Sequence, residues 1–345
     1  MAKDKKKRKL KPFGITVLVL ISILVIMIGS AAVYVNYKLS KIQRISLHEN
    51  DLNISSVVDE NLSDYRNIAI FGIDSREDTY SKGNRSDCII VASINNKTKE
   101  VKLISVYRDT FVNIEGHGLD KITHAYSYGE APLAISTLNT NLDLNIKEFV
   151  AVNFEAVAEA VDQLGGVDIE IETEEELNYL NSYIGETSRV TGKNAQKVET
   201  IGKQTLDGVQ AVAYSRIRYT EGGDAKRAER MRIVIEAMLN KAKNKNFSEI
   251  NKVLNSILPK IYTNISASEM LSTLPDMTKF KIIKSIGWPY ETRGITLDRW
   301  YGVPVTLESN VIKLHNEVFN EADYQPSENV KNTSNSIVEK TGYNE

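Results

Sequence analysis

Residues 148–171 read EFVAVNFEAVAEAVDQLGGVDIEI. EFVAVN (148–153) is a short apolar run of β-branched and aromatic residues between two polar ones, the pattern of a strand. FEAVAEAVDQL (154–164) then places Ala, Val and Leu at helical spacing, and Gly165-Gly166 ends that helix. VDIEI (167–171) alternates apolar and polar side chains, a second strand. Strand, helix and strand in 24 residues predict an α/β domain.

Working outward, NIAIFGI (67–73), CIIVASI (88–94) and EVKLISVY (100–107) are short β-branched runs. NNKTK between the last two is a turn, which makes them a hairpin and the sheet a mixed one. APLAISTLNTNL (131–142) and DGVQAVAYS (207–215) read as helices. So does GDAKRAERMRIVIEAMLNKAK (223–243), with Asp224 as its expected N-cap. Further helices are expected at 247–258, 267–279 and 310–319. The polar segment 173–203 reads as a surface excursion. The tail 320–345 lacks apolar periodicity and is expected to be disordered.

The net charge of −2 conceals an asymmetry. Residues 1–11 carry seven basic side chains and one acidic one, leaving −8 on the rest of the chain, a balance that argues against nucleic-acid binding. No charged residue occurs from Pro12 to Tyr37, and Phe13 to Val35 is long enough to cross a hydrocarbon core of about 30 Å. The basic flank places the N-terminus inside and the remainder outside. Expected boundaries are a cytoplasmic tail (1–11), a transmembrane helix (12–37), a juxtamembrane stalk (38–64), an extracytoplasmic domain (65–319) and the tail. A signal peptide cut near Gly29 to Ala32 is the competing reading, but the apolar run exceeds the roughly 7–15 residues of such segments. The single cysteine, Cys88, excludes an internal disulfide and reads as a small buried hydrophobe.

Polar clusters fall where strands and helices end. Asp74 and Asp87 flank a loop that can bring two carboxylates together, hard ligands suited to a divalent cation; the alternative is two turn residues capping local amides. Arg108-Asp109 ends another strand. In SRIRYTEGGDAKRAERMRIVIEAML (215–239), Arg216 and Arg218 share a face if extended. Arg227 and Arg230 continue the apolar stripe of Met231, Val234 and Met238, so they point inward at a helix start, where dipole and free amides favour an anion. Buried guanidiniums need anionic partners. Those partners are either Glu221, Asp224 and other acids in an internal network, or a phosphate-rich ligand. Six arginines, counting Arg85, with two metal-competent carboxylates favour the ligand. The four histidines lack ligand spacing, and only His124, near Lys121, adjoins a cluster.

The ordered series G-x-D-S-R (Gly72 to Arg76), R-S-D (Arg85 to Asp87), R-D-T (Arg108 to Thr110), K-I-x-x-A (Lys121 to Ala125), V-D-x-L-G-G-V (Val161 to Val167), L-x-G-x-x-A-x-x-Y-x-R-x-R (Leu206 to Arg218) and G-D-x-x-R-x-x-R (Gly223 to Arg230) resembles the LytR-CpsA-Psr family. The resemblance implies an α/β/α sandwich with an apolar pocket for a polyprenyl tail. It implies a transferase that moves a glycopolymer phosphate, such as wall teichoic acid or capsule, from an undecaprenyl-pyrophosphate carrier to peptidoglycan at the cell membrane. It further implies magnesium, or manganese in its place, on Asp74 and Asp87, with a pyrophosphate clamp of Arg85, Arg108, Lys121, Arg216, Arg218, Arg227 and Arg230. Arg108, Asp109 and Asp224 would serve the chemistry, the two acids as orienters or base. The chain departs from the family at Tyr107 (usually proline), Cys88 (usually threonine), Thr123 (usually asparagine) and Met231 (often glutamine). A pyrophosphatase using the same site and a non-catalytic envelope regulator are the competing functions.

Overall fold

Near-continuous apolar runs give the central sheet two apolar faces, because successive side chains point to opposite sides, and helices cover both. The computed structural model describes residues 42–73, 80–273, 276 and 278–344. The expected cytoplasmic tail and transmembrane helix lie outside these residues, and among the described residues no helix is long and apolar enough to cross a membrane. In chain order the elements are β1 (Gln43–Arg44), α1 (Ser56–Asn61), β2 (Tyr65–Ile73), β3 (Ser86–Asn95), β4 (Glu100–Val106), β5 (Phe111–Ile114), β6 (Gly118–Lys121), α2 (Ile122–Leu142), β7 (Glu148–Asn153) and α3 (Phe154–Gln163). There follow β8 (Val167–Ile171), α4 (Glu174–Thr191), β9 (Gly202–Leu206), α5 (Gly208–Arg216), α6 (Gly223–Lys243), α7 (Phe247–Ile257), β10 (Ile261–Thr263) and α8 (Ala267–Thr273). The chain closes with β11 (Lys281–Trp288), β12 (Thr292–Thr296), β13 (Trp300–Pro304), α9 (Leu307–Leu314) and α10 (Glu328–Thr341).

Seven strands form the main sheet in the order β1-β10-β7-β2-β3-β4-β11. The expected hairpin is β3–β4, with Ile90 opposite Ser105 and Ile94 opposite Val101. β7 runs parallel to β2 and β11 parallel to β4, so the sheet is mixed. Ala69, Phe71 and Ile73 of β2 face α2, α9 and α10 in one core. Ile70 and Gly72 face the other way, toward α3, α5, α6 and α7. That second helical layer carries its own core, built from α3, α4, α5 and the β8–β9 pair, with Leu180, Val209 and Ala213 at its centre.

Several expected boundaries need correction. The stalk (38–64) belongs to the domain from residue 42 onward: β1 pairs with β10, and Leu52, Val58 and Leu62 are buried. VDIEI is a strand, but it pairs with β9 outside the main sheet. The excursion at 173–203 contains α4, capped by Thr173 and buried along Leu177, Leu180, Ile184, Thr187 and Thr191. The tail is not disordered. Asp143 accepts hydrogen bonds from Tyr324 and from the Ser327 amide, and α10 then buries Val330, Thr333, Ser334 and Ile337, one helical stripe whose middle is polar. Ile337→Ala is therefore expected to cost about 2–5 kcal/mol of stability, measured by urea denaturation through the near-ultraviolet signal of the buried Trp288. A loss of only a few tenths would mean that α10 is dispensable to the core.

Candidate active site

Three acids from different elements converge on one guanidinium. Arg108, just past β4, places Nη1 2.8 Å from Asp87 Oδ1 near the start of β3. Its Nε lies 3.5 Å from Asp109 Oδ2 and 3.8 Å from Asp224 Oδ1 at the start of α6. Asp224 is not the helix N-cap, a place taken by Gly222. Its carboxylate instead meets Arg227 Nη2 at 2.7 Å, while Arg227 Nη2 also donates to the Asp87 carbonyl. Lys121, ending β6, holds Asp109 at 2.6 Å.

Burial opposes the charge on Arg108, but Asp87, Asp109 and Asp224 outweigh it and raise its pKa above the ordinary arginine value. Burial lifts the Asp224 carboxyl above the usual carboxylate range even though Arg227 and Arg108 favour its charge. Three carboxylates and three cations thus balance within the cluster. Two donors remain: among the described residues no acceptor takes the buried Nε–H of Arg108 or of Arg227. Orphaned guanidinium donors at a charge-balanced centre fit an incoming anion.

A polar pocket of about 180 Å³ opens beside this cluster, lined by Asp87, Arg216, Arg218, Arg227, Tyr183 and Phe154 among others. Arg216 ends α5 rather than lying in an extended segment. It lies over the rings of Phe154 at 5.1 Å and Tyr183 at 5.7 Å, with Glu186 and Thr187 as hydrogen-bond partners. Arg218 reaches the same pocket two residues on.

Phe154 and Met231 also line a second pocket, of about 280 Å³, between the sheet and α3, α5, α6 and α7. Its walls are almost wholly apolar: Ile70, Val150, Val152, Ala160, Val212, Val234 and Met238. Small side chains on the sheet keep it open. At Gly72 a Cβ would lie 2.6 Å from that of its strand partner Cys88. Burial pushes the Cys88 thiol up to about 12, which suits a wall residue rather than a nucleophile.

The predicted site residues therefore divide. Arg108, Asp109, Lys121, Asp87, Asp224, Arg216, Arg218 and Arg227 come together. Arg85 is exposed upstream of Asp87 and does not line the pocket. Asp74 lies outside the described residues, and among the described residues no group of three acid, histidine or cysteine side chains is placed to hold a metal ion. His124 bonds Asp120 at 2.8 Å.

Arg230 departs from expectation. Only 2% exposed, it spends its guanidinium inside the protein, on Glu176 at 2.7 Å, the Ile217 carbonyl and the Thr220 hydroxyl. Its inward stripe position leads to an internal ion pair, not to the pocket. Sequence reasoning missed Glu176, Phe154 and Tyr183. A signal existed for the first, since Thr173 and Glu176 have the spacing of a helix-start capping pair. Glu176→Ala is expected to cost about 3–5 kcal/mol by stranding Arg230. Arg218→Ala, partly exposed at the pocket, should stay within about 0.5 kcal/mol. Equal losses in denaturant unfolding would contradict this division.

Comparison with known proteins extends the picture. The LytR_cpsA_psr family model matches residues 29–315. TagT of Bacillus subtilis (strain 168), named a polyisoprenyl-teichoic acid–peptidoglycan teichoic acid transferase, is 30% identical over 302 residues, covering 84% of this chain and 90% of its own length. A structure of the LytR-CPS2A-psr family protein YwtF (TagT) with bound octaprenyl pyrophosphate lipid superposes with a TM-score of 0.55 at 25% identity, covering 75% of this chain and 92% of that one. Protein gbs0355 from Streptococcus agalactiae does so with a TM-score of 0.61 at 26% identity, covering 79% and 92%. With a mixed sheet, an arginine-lined pocket and a match over most of its length, the chain belongs to the LytR-CpsA-Psr family.

Proposed function

We propose that this protein is a membrane-anchored, extracytoplasmic transferase. It moves a glycopolymer phosphate, such as wall teichoic acid or a capsular chain, from undecaprenyl pyrophosphate to a hydroxyl of peptidoglycan. The observation that carries this reading is the shared wall. An apolar pocket and an arginine-lined pocket meet at Phe154 and Met231, which suits an amphiphile with a hydrocarbon tail and an anionic head. The lipid pyrophosphate bound in the YwtF structure has that form. The uncharged run from Pro12 to Tyr37 after a basic N-terminus supports the anchor and its orientation.

In phosphoryl transfer the protein mainly positions reactants and stabilises charge. Arg216, Arg218 and Arg227 bind the phosphates from one side of the pocket, and Arg108, bonded to the pocket residue Asp87, adds its charge from behind them. The acceptor hydroxyl oxygen forms a bond to the phosphorus that carries the glycan. The bond from that phosphorus to the bridging oxygen breaks, and undecaprenyl phosphate departs with the electron pair while the arginines hold its charge. The hydroxyl proton is lost late and passes to a departing phosphate oxygen. Asp109 and Asp224 keep Arg108 and Arg227 in register rather than taking that proton.

The cluster is already charge-balanced, so a pyrophosphate brings negative charge beyond what it can match, and a divalent cation fits that excess. Asp87, which lines the pocket, would hold magnesium or manganese together with Asp74. Bound there, the cation would polarise the pyrophosphate.

The test is to incubate the full chain with a short lipid-pyrophosphate glycan and peptidoglycan oligomers. Covalent product is expected; free phosphorylated glycan would indicate a hydrolase, and neither product a binder. Arg108→Ala should lower transfer by at least about 100-fold without unfolding the domain. Chelation should abolish transfer and magnesium restore it; full activity in EDTA would remove the cation from the reading.

A further inference from the structure

The hairpin of β12 and β13 is joined directly to the catalytic segment. The Gly302 amide donates to the Asp109 carbonyl at 2.9 Å, and Thr110 pairs with Gly302 in a parallel bridge. Tyr301 turns inward, 4% exposed, against Phe111. Its neighbour Trp300 turns outward and is 51% exposed.

Trp300 is not simply hanging in solvent. Gly294 and Gly302 are cross-strand partners, and the indole lies over both. A Cβ on Gly294 would stand 2.8 Å from Trp300 Nε1, so a side chain there would lift the ring. One face of the indole rests on backbone and the other is presented to solvent, held flat. Aromatic side chains do cover glycines in sheets, but that role uses only the inner face. The Cβ position of Gly302 is 3.6 Å from Trp300 Cη2 and 3.7 Å from the Asp109 carbonyl oxygen, so the ring edge borders the same gap as the catalytic segment. Arg108 stands between two approaches: Asp87 lines the pocket on one side, and Asp109 adjoins the hairpin on the other. Tyr128 offers a second flat face near by. It is 36% exposed, stacked on His117 at 4.1 Å, and hydrogen-bonded to Asp120, the residue before Lys121.

We propose that the open face of Trp300 is the platform on which a pyranose ring of the acceptor glycan stacks as its hydroxyl approaches Arg108. This rests on the transferase reading above. A rigid amphipathic aromatic, apolar over its face and polar at Nε1, matches a sugar ring with an apolar C–H face and a hydroxylated rim. Binding a flat ring to a preset face also avoids an ordering cost.

Only two tryptophans occur, and Trp288 is fully buried, so a change in emission reports Trp300. The full chain in detergent is titrated with peptidoglycan glycan strands stripped of peptide and of secondary polymer. A saturable blue shift is expected. Trp300→Ala should raise the acceptor KM about tenfold, the scale of one lost aromatic stack, and leave the donor KM at its wild-type value. Trp300→Phe should recover most of the loss, and Gly294→Val, which displaces the ring, should mimic Trp300→Ala. Unchanged emission with glycan strands, or a wild-type acceptor KM in Trp300→Ala, overturns the proposal. If the chain releases glycan phosphate only to water, the transferase reading fails, and the titration alone then judges the platform.

Discussion

The site depends on keeping a half-buried guanidinium charged. Arg108 is held by acids from the start of β3, from its own neighbour and from the first turn of α6. Removing any one of them would leave charge unmatched in a partly desolvated place, which costs more than the pair itself contributes. The cluster therefore fixes where α6 begins relative to the ends of β3 and β4. Since Arg227 is committed to Asp224 and to the Asp87 carbonyl, its guanidinium at the polar pocket is oriented without a ligand. Two guanidinium donors left without a hydrogen bond within such a braced frame suit the anion site proposed above.

The apolar pocket follows from how the second helical layer is stabilised. α4, α5 and the β8–β9 pair bury Leu180, Val209, Ala213 and their neighbours against one another. That layer thus has a core of its own and does not need close contact with the sheet. Where α3, α5 and α6 pass over Ile70, Gly72 and Val150, space remains between the layers. Empty apolar volume forgoes dispersion contacts, so a site of this kind is retained against stability. The polar cluster at its rim and the closed core on the other face of the sheet supply what it forgoes.

Much of this was readable from the residues. Short β-branched runs found β2, β3, β4 and β7, the glycine pair ended α3, and the stripe through Met231 and Val234 turned Arg227 inward. What escaped did so for definable reasons. α10 buries Thr333 and Ser334 between Val330 and Ile337, so its helical period lies in burial and not in hydropathy. β1 and β10 span two and three residues, too short for any period to show. Arg227 and Arg230 occupy the same stripe, yet one meets the pocket and the other Glu176, 54 residues upstream. No local pattern separates those fates. The pocket is formed by what four strands and four helices leave unfilled, and Trp300 gains its meaning only from glycines across a hairpin.

Met231 ties these strands of the argument together. It is the one residue of α6 that lines the apolar pocket, the polar pocket and the small cleft beside Arg108. A glutamine there would carry hydrogen-bonding groups, and water, to the boundary. The thioether keeps the wall apolar to the rim, so charges just beyond it act in a lower effective dielectric and more strongly. α6 then presents a graded face: Asp224 and Arg227 at the head, Met231 at the boundary, Val234, Ile235 and Met238 along the tail. From Arg227 to Met238 the axis rises about 16 Å. For the proposed donor, that is the length over which one helix meets first the phosphates and then the first part of the hydrocarbon chain.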